Sequence, residues 1–404
     1  MTDFADPADG LTPARRRQAV LAVTIANFAA LAGFGVFFPI LPQYGLGIGA
    51  SATEIGVAIA AFSLGQLVAG PFVGRLSDRF GRRRVLLWSL AISAITHALN
   101  AFCVTPLALI LVRLIGGLAA ASFGVSFAVA SDVSTPEQRT RVMAIVGSGL
   151  SLGFILGPAL GGLIAGATAE AADFVWISFA AAGLAAAAFV ATAFLLPETS
   201  APKIAPRDGD ALPKNLLRST PIVRLLWLTL FSAAAVAMME ANFTLFAASV
   251  LAAGPRTIGL VFGAMGVLTT LLQFVVAGYA SQRLGEERVM EIGLALQAAG
   301  LGLLALASTM TVAVCGALII AAGFALLTPA LASLTSLTSP ATMQGEVLGL
   351  QQGSGALGRV FGPGASGALY DGYGANAPFL IGAIGMAIAL LYARFSDRGT
   401  APDS

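Results

Sequence analysis

Twelve stretches of this chain stay apolar for about 20 residues or more, and the polar residues collect between them. They cover residues 18–41, 55–73, 85–104, 107–130, 142–167, 173–196, 221–248, 257–280, 289–309, 311–335, 345–369 and 376–394. Each can cross the roughly 30 Å hydrocarbon core of a bilayer as a helix. None alternates polar and apolar residues as a membrane β-barrel strand does. Lipid offers the backbone no hydrogen-bond partner, so the segments are expected to be helices that pair their own N–H and C=O groups. Composition agrees. Of the 404 residues 57% are hydrophobic and 10% charged, against about 25% charged in a soluble domain. The mean hydropathy is +0.87. The first run follows Arg15, Arg16 and Arg17 and continues to Leu41 without a small-residue cleavage site, so it reads as a permanent span and not a signal peptide.

The basic residues set an orientation. Arg75, Arg79, Arg82, Arg83 and Arg84 follow the second span, and Arg139 and Arg141 follow the fourth. Lys203, Arg207, Lys214, Arg218 and Arg224 follow the sixth, Arg283 and Arg288 the eighth, and Arg394 and Arg398 the last. With the three N-terminal arginines, all but Arg113, Arg256 and Arg359 of the 22 basic residues fall on one side. Positive residues favour the cytoplasmic face, so both termini are expected inside a bacterial inner membrane and the number of spans is even.

The chain also repeats. Gly74-Arg-Leu-Ser-Asp-Arg-Phe-Gly81 recurs 204 positions later as Gly278-Tyr-Ala-Ser-Gln-Arg-Leu-Gly285. Gly157-Pro158 recurs 205 positions later as Gly362-Pro363. Two landmarks with nearly one offset indicate duplication, and duplicated transporters bind substrate where their halves meet. The expected fold is an all-α membrane protein of twelve transmembrane helices in two pseudo-symmetric six-helix bundles. The expected parts are a cytoplasmic tail (1–17), an N-terminal bundle (18–196), a cytoplasmic linker (197–220), a C-terminal bundle (221–395) and a second tail (396–404).

The connection after the second span carries the sharpest motif. Gly74 and Gly81 permit a tight turn. Asp78 can accept from helix-start N–H groups or pair with an arginine. Arg79, Arg82, Arg83 and Arg84 can hold an anionic leaflet. In the fifth span Gly153, Gly157 and Gly161 lie four apart, with Gly162 and Pro158 beside them. Such a stripe lets another helix approach closely, and the proline bends its own helix.

Gly-x-x-x-Asp-Arg-x-Gly-Arg-Arg at residues 74–83 resembles the signature loop of the major facilitator superfamily. The resemblance implies that Gly74, Asp78, Arg79, Gly81, Arg82 and Arg83, with Asp132 and Arg139, form a cytoplasmic gate held by a charge network. The second copy departs from the pattern, since Gln282 stands where the acid would be. The fifth-span glycines and Pro158 resemble the motif of the proton-coupled antiporter branch, which implies a seal on the extracellular side. Ser131-Asp132-Val133, Pro136-Glu137-Gln138-Arg139, Pro39-Ile-Leu-Pro42 and Leu196-Pro-Glu-Thr199 extend the resemblance along the chain. Arg113 is similar to the fourth-span arginine tied to proton transfer in that family.

Charge inside a span costs at least about 2.5–3.5 kcal/mol at the bilayer centre. Arg113, Glu240 and Arg359 bear that cost. Glu240 is the only acid well inside a span. A carboxyl balanced between burial and a nearby arginine can bind and release a proton, and it can also hold a cationic ligand; a static Glu240–Arg359 brace is the alternative use. The tetracycline–proton antiporters are similar in length, loop and fifth span, but Asn27 and Gln297 stand where two of their acids would be. Asn27, Asn242, Gln273, Gln297 and Gln351 can line a cavity or join helices, while Phe38, Phe123 and Phe127 can give it an apolar wall.

One histidine, His97, two distant cysteines, and no phosphate-binding loop or metal spacing point away from an enzyme and from any cofactor beyond a proton. A net charge of +2 gives no sign of nucleic acid. The expected function is proton-coupled antiport that exports drug-like hydrophobic or cationic small molecules by alternating access. A metabolite exporter or proton symporter of the same fold is the alternative. The protein is expected to act as a monomer in the lipid bilayer.

Overall fold

The computed structural model describes residues 11–166, 170–199, 220–339 and 344–396. Most of the expected linker, residues 1–10 and 397–404 of the expected tails, and the side chain of Glu137 lie outside the described residues. Within them the chain is helical and no strand occurs. The helices are α1 (Pro13–Gly35), α2 (Leu41–Gly47), α3 (Ala52–Phe80), α4 (Arg82–Asn100), α5 (Pro106–Ala120), α6 (Phe123–Asp132), α7 (Pro136–Ala165) and α8 (Ala171–Leu195). After the linker come α9 (Thr220–Ser249), α10 (Pro255–Leu272), α11 (Gly278–Leu284), α12 (Glu286–Ala305), α13 (Met310–Thr338), α14 (Gln344–Tyr373) and α15 (Ala377–Ser396).

Every expected span is present as a helix or a broken helix. Among the described residues ten are long and apolar enough to cross a membrane. The other two, α4 and α14, are helical but more polar. α4 opens with three arginines and ends with His97 and Asn100, while α14 carries Gln351, Gln352, Arg359 and Asp371. The breaks have local causes. The first span was expected to run to Leu41 but stops at Gly35, four residues before Pro39, whose ring excludes the helical position of that carbonyl. α2 then restarts with Pro42 in its first turn. The fourth span divides at Ala121–Ser122 into α5 and α6, and a π-helical turn, Gln273–Ala277, joins α10 to α11. Thr105 and Thr309, 204 positions apart, cap α5 and α13 by accepting from Ala108 N (3.3 Å) and Val312 N (3.5 Å).

The described residues fall into two compact units. One holds those up to Gly49, those within 61–208, and Pro255–Gly263; the other holds Ala50–Ala60, Thr220–Gly254 and those from Ala264 onward. In the first unit α7 lies against α1 through Gly149, Gly153, Gly157 and Gly161. A Cβ on Gly153 would stand 2.6 Å from Phe28 O, one on Gly157 2.8 Å from Ala32 O, and one on Gly161 would overlap Val36 O. In the second unit Gly358 and Gly362 of α14 meet Leu230 O and Ala234 O of α9 in the same manner, and Ser366 Oγ donates to Met238 O at 3.2 Å. α12 and α13 cross at Gly293–Gly323 and Gly300–Gly316. Helices in lipid gain little from apolar burial alone, so close backbone approach at small residues has to supply the cohesion.

Each unit also holds a short helix end that continues into the other. The first turns of α10 pack in the first unit, where Gly259 meets Gly162. The first turns of α3 pack in the second, where Gly56 meets Pro363 and Gly367 meets Ala52. Phe194, Phe274 and Leu306 are each at least 80% exposed, an arrangement suited to lipid and not to water.

Candidate functional site

The α3–α4 connection is built around Gly81. Its φ of +95° is a backbone state that glycine adopts freely. Gly74, expected at this turn, lies inside α3 with open space where a Cβ would be, so the turn rests on Gly81 alone. Arg82 is the hub: Nη1 reaches Asp78 (2.5 Å) and Ser77 Oγ (2.6 Å), and Nε reaches Asp132 at the end of α6 (3.2 Å). Arg139, exposed in the first turn of α7, acts electrostatically on the same Asp132. Arg83 turns to α8, where Nη2 donates to Ala193 O (2.6 Å) and the backbone N–H donates to Glu198 (3.4 Å). Arg79 stays exposed over the Phe80 ring. The structure therefore gathers Asp78, Gly81, Arg82, Arg83, Asp132 and Arg139. It adds Ser77 and Glu198, which are visible in sequence only as members of the Gly74–Gly81 and Leu196–Thr199 strings.

The second copy reverses the polarity. Gly285 turns with φ +82°, and Glu286 stands at the position of Arg82. It accepts from Ser281 Oγ (2.8 Å) and from Ser333 Oγ of α13 (2.9 Å). The 204-residue offset could have revealed this exchange beside Gln282. Arg224, counted from sequence with the loop charges, is buried and pairs with Glu287 at 2.9 Å. Arg16, counted with the tail, is fully buried in α1.

Glu240 lies nine residues before the end of α9, about 14 Å along the helix. Arg359 of α14 is the charge that acts on it, but the two form no direct ion pair. Arg359 folds back along its own helix, and a Cβ on Gly355 would be 3.8 Å from its Nη1. Arg113 is 3% exposed, its guanidinium carbon 4.2 Å from the Phe37 ring centroid. Its Nε and Nη2 have no hydrogen-bond partner among the described residues. His97 stacks on the same ring at 5.8 Å. Phe174 joins Phe37 to Tyr44, whose hydroxyl donates to Cys103 O at 2.9 Å. Burial first, and then Cys103, raises the Tyr44 hydroxyl above its ordinary pKa.

Four of the polar side chains named from sequence bond to another segment of the chain. Asn27 Nδ2 donates to Val146 O (3.2 Å) and Asn242 Nδ2 to Ala375 O (2.8 Å). Gln297 accepts from Ser232 Oγ (3.0 Å), and Gln351 Nε2 donates to Thr229 Oγ1 (3.3 Å). Gln273 sits in the π-helical turn, half-buried. Phe38 is buried against Phe34 and Phe262. Phe123 opens α6, and Phe127 packs with the Ala19–Val146 core.

Comparison with known proteins agrees with this architecture. The family model described as Major Facilitator Superfamily matches residues 23–252 and 228–404. Multidrug resistance protein 2 of Bacillus subtilis is 28% identical over 387 residues, 93% of this chain and 94% of that protein. The class D tetracycline resistance protein of Salmonella ordonez is 31% identical over 354 residues, 86% and 88% of the two chains. Among solved structures, a bacterial homologue of the human lysosomal transporter Spinster superimposes with a TM-score of 0.80 at 14% identity, covering 96% of this chain and 98% of that one. The D-xylose–proton symporter gives 0.76 at 17%, covering 93% and 97%. With twelve helical spans, a duplicated glycine-turned loop and a match along nearly its whole length, the chain belongs to the Major Facilitator Superfamily, a family of multi-pass membrane transporters of small molecules.

Proposed function

We propose that the protein is a proton-coupled antiporter that exports drug-like hydrophobic or cationic small molecules by alternating access. It acts as a monomer in a bacterial inner membrane, with both termini in the cytoplasm. The observation that carries the reading is Glu240, an acid deep in a span with Arg359 acting on it but not bound to it. A carboxyl locked in an ion pair would be inert. One with an arginine nearby but not bonded to it can exchange a proton for a cation, and competition for a single site is the simplest form of coupling. The likeness to multidrug and tetracycline resistance proteins supports the substrate class. In this reading the proton is the coupling ion and no other cofactor is needed. The Arg82 network closes the cytoplasmic gate, and Arg113 assists proton transfer.

The test is drug-driven proton flux in proteoliposomes. Glu240→Gln is expected to abolish or uncouple it while leaving membrane insertion intact. Wild-type flux in that variant overturns the role of Glu240. Substrate accumulation on the side toward which protons flow overturns antiport.

A further inference from the structure

Five arginines surround the α3–α4 turn, and the structure divides them. Arg82 and Arg83 are engaged within the protein by Asp78, Asp132, Ala193 O and Glu198. Arg75, Arg79 and Arg84 are exposed and meet no carboxylate among the described residues. Arg75 donates only Nε, to Pro71 O at 3.2 Å, and its guanidinium carbon lies 5.0 Å from the Phe72 ring centroid. Arg79 lies 5.4 Å from the Phe80 centroid. Phe80 in turn meets Trp88 at 5.8 Å, and Trp88 is one turn beyond Arg84 on the same face of α4.

The rings are themselves exposed: Phe72 by 62% and Trp88 by 47%. Phe72, Leu76 and Phe80 follow each other at four-residue intervals, so they form one apolar strip along α3. Three cationic heads thus stand at the end of an exposed apolar wall, and an aromatic face underlies two of them. Arginine stems lie along apolar surface while their heads remain polar. A planar guanidinium offers paired donors that match phosphate oxygens. The duplicated corner keeps only part of this set: Arg283, over Tyr279 at 5.3 Å, and Arg288 stand where the first copy has Arg79 and Arg84, but Tyr279 replaces Arg75, and Val276 and Ile292 replace Phe72 and Trp88.

We propose that the α3–α4 corner binds an acidic phospholipid, with the headgroup phosphate on Arg75, Arg79 and Arg84 and the acyl chains along Phe72, Leu76 and Trp88. The orientation given above assigns the site to the inner leaflet. Its chemistry does not depend on the transported substrate. The loss of the third arginine and of both end rings in the second copy leaves one complete site per chain.

The test measures lipid retention by native mass spectrometry of the detergent-purified full chain, titrated with phosphatidylglycerol or phosphatidylcholine. No gradient or drug is present, so its outcome is independent of the antiport reading. Each arginine near an anionic lipid contributes about fivefold in affinity. The Arg75→Gln/Arg84→Gln double variant is therefore expected to lose phosphatidylglycerol about 25-fold. Arg75→Lys/Arg84→Lys is expected to retain it in part, and Arg256→Gln is expected to match the wild type. Size-exclusion profiles and far-UV circular dichroism establish that each variant is folded. Equal retention by the glutamine double variant, equal loss in Arg256→Gln, or equal retention of phosphatidylcholine overturns the proposal. Inorganic phosphate at millimolar concentration is expected not to displace the lipid, and full displacement would assign the site to a soluble anion instead.

Discussion

The start of α3 is held locally by a reciprocal Ser51–Glu54 cap and, from another helix, by a second carboxylate. Asp371, near the end of α14, accepts from Ala52 N (3.2 Å), Thr53 N (2.8 Å) and Thr53 Oγ1 (2.6 Å). It therefore caps a helix start from 318 residues away in sequence. Removing an N-cap acceptor costs about 0.5–2 kcal/mol, and losing a negative charge at a helix start costs about 0.3–1 kcal/mol more. The two overlap, so Asp371→Ala should destabilise this helix end by roughly 1–2 kcal/mol. The matching start of α10 is held differently, with Arg256 N donating to Gly166 O at 3.0 Å. It serves as an internal control. Hydrogen exchange in detergent or nanodiscs reads both ends separately. The amides of Ala52 and Thr53 should exchange about 5–30 times faster in Asp371→Ala, and those near Arg256 at an unchanged rate. Asp371→Asn keeps one acceptor oxygen and should fall between. Unchanged exchange at Ala52 and Thr53 would refute the capping role, and faster exchange at both helix starts would show a global effect instead.

Two further outcomes test the packing. Gly161→Ala would place a Cβ on Val36 O, backbone that cannot step aside, whereas Gly183 has nothing within 4 Å. Unfolding titrations with sodium dodecyl sulfate should show a loss of about 1–3 kcal/mol for Gly161→Ala and little change for Gly183→Ala. At the duplicated turns, Gly81→Ala combines positive φ with a Cβ 2.6 Å from Glu198 Oε1, while Gly285→Ala meets positive φ alone. The positive-φ strain costs about 1–3 kcal/mol at each, so the Gly81 variant, with the Glu198 clash in addition, should be the less stable by the same titration.

Much of the site was visible in sequence because its residues are expensive where they stand. A charge in a span, or a glycine every fourth position, needs a reason that composition alone can suggest. Glu240, Arg113, Arg359 and the α7 stripe stand out in sequence in that way. Asn27, Gln297 and Gln351 were ambiguous for the converse reason: an amide in lipid needs a partner, but its sequence does not say whether a ligand or a neighbouring helix provides it. The structure gives each one a helix. Ser77, Glu198, Glu286 and Asp371 were missed. Their types are ordinary near helix ends, and only their partners make them significant.

The sequence by itself determined that the chain crosses a membrane many times, that it is helical, and that it is a duplication. Those properties follow from local quantities: the length of apolar runs, the placement of basic residues, and a repeated string. Tertiary structure decided which arginines of the α3–α4 turn face inward and which stay exposed, and which residue carries the second copy's polar hub. It also decided that a carboxylate on α14 should cap α3. Each of these depends on side chains brought together from distant segments, and a hydrogen bond has no energy until its two ends are within about 3 Å of each other.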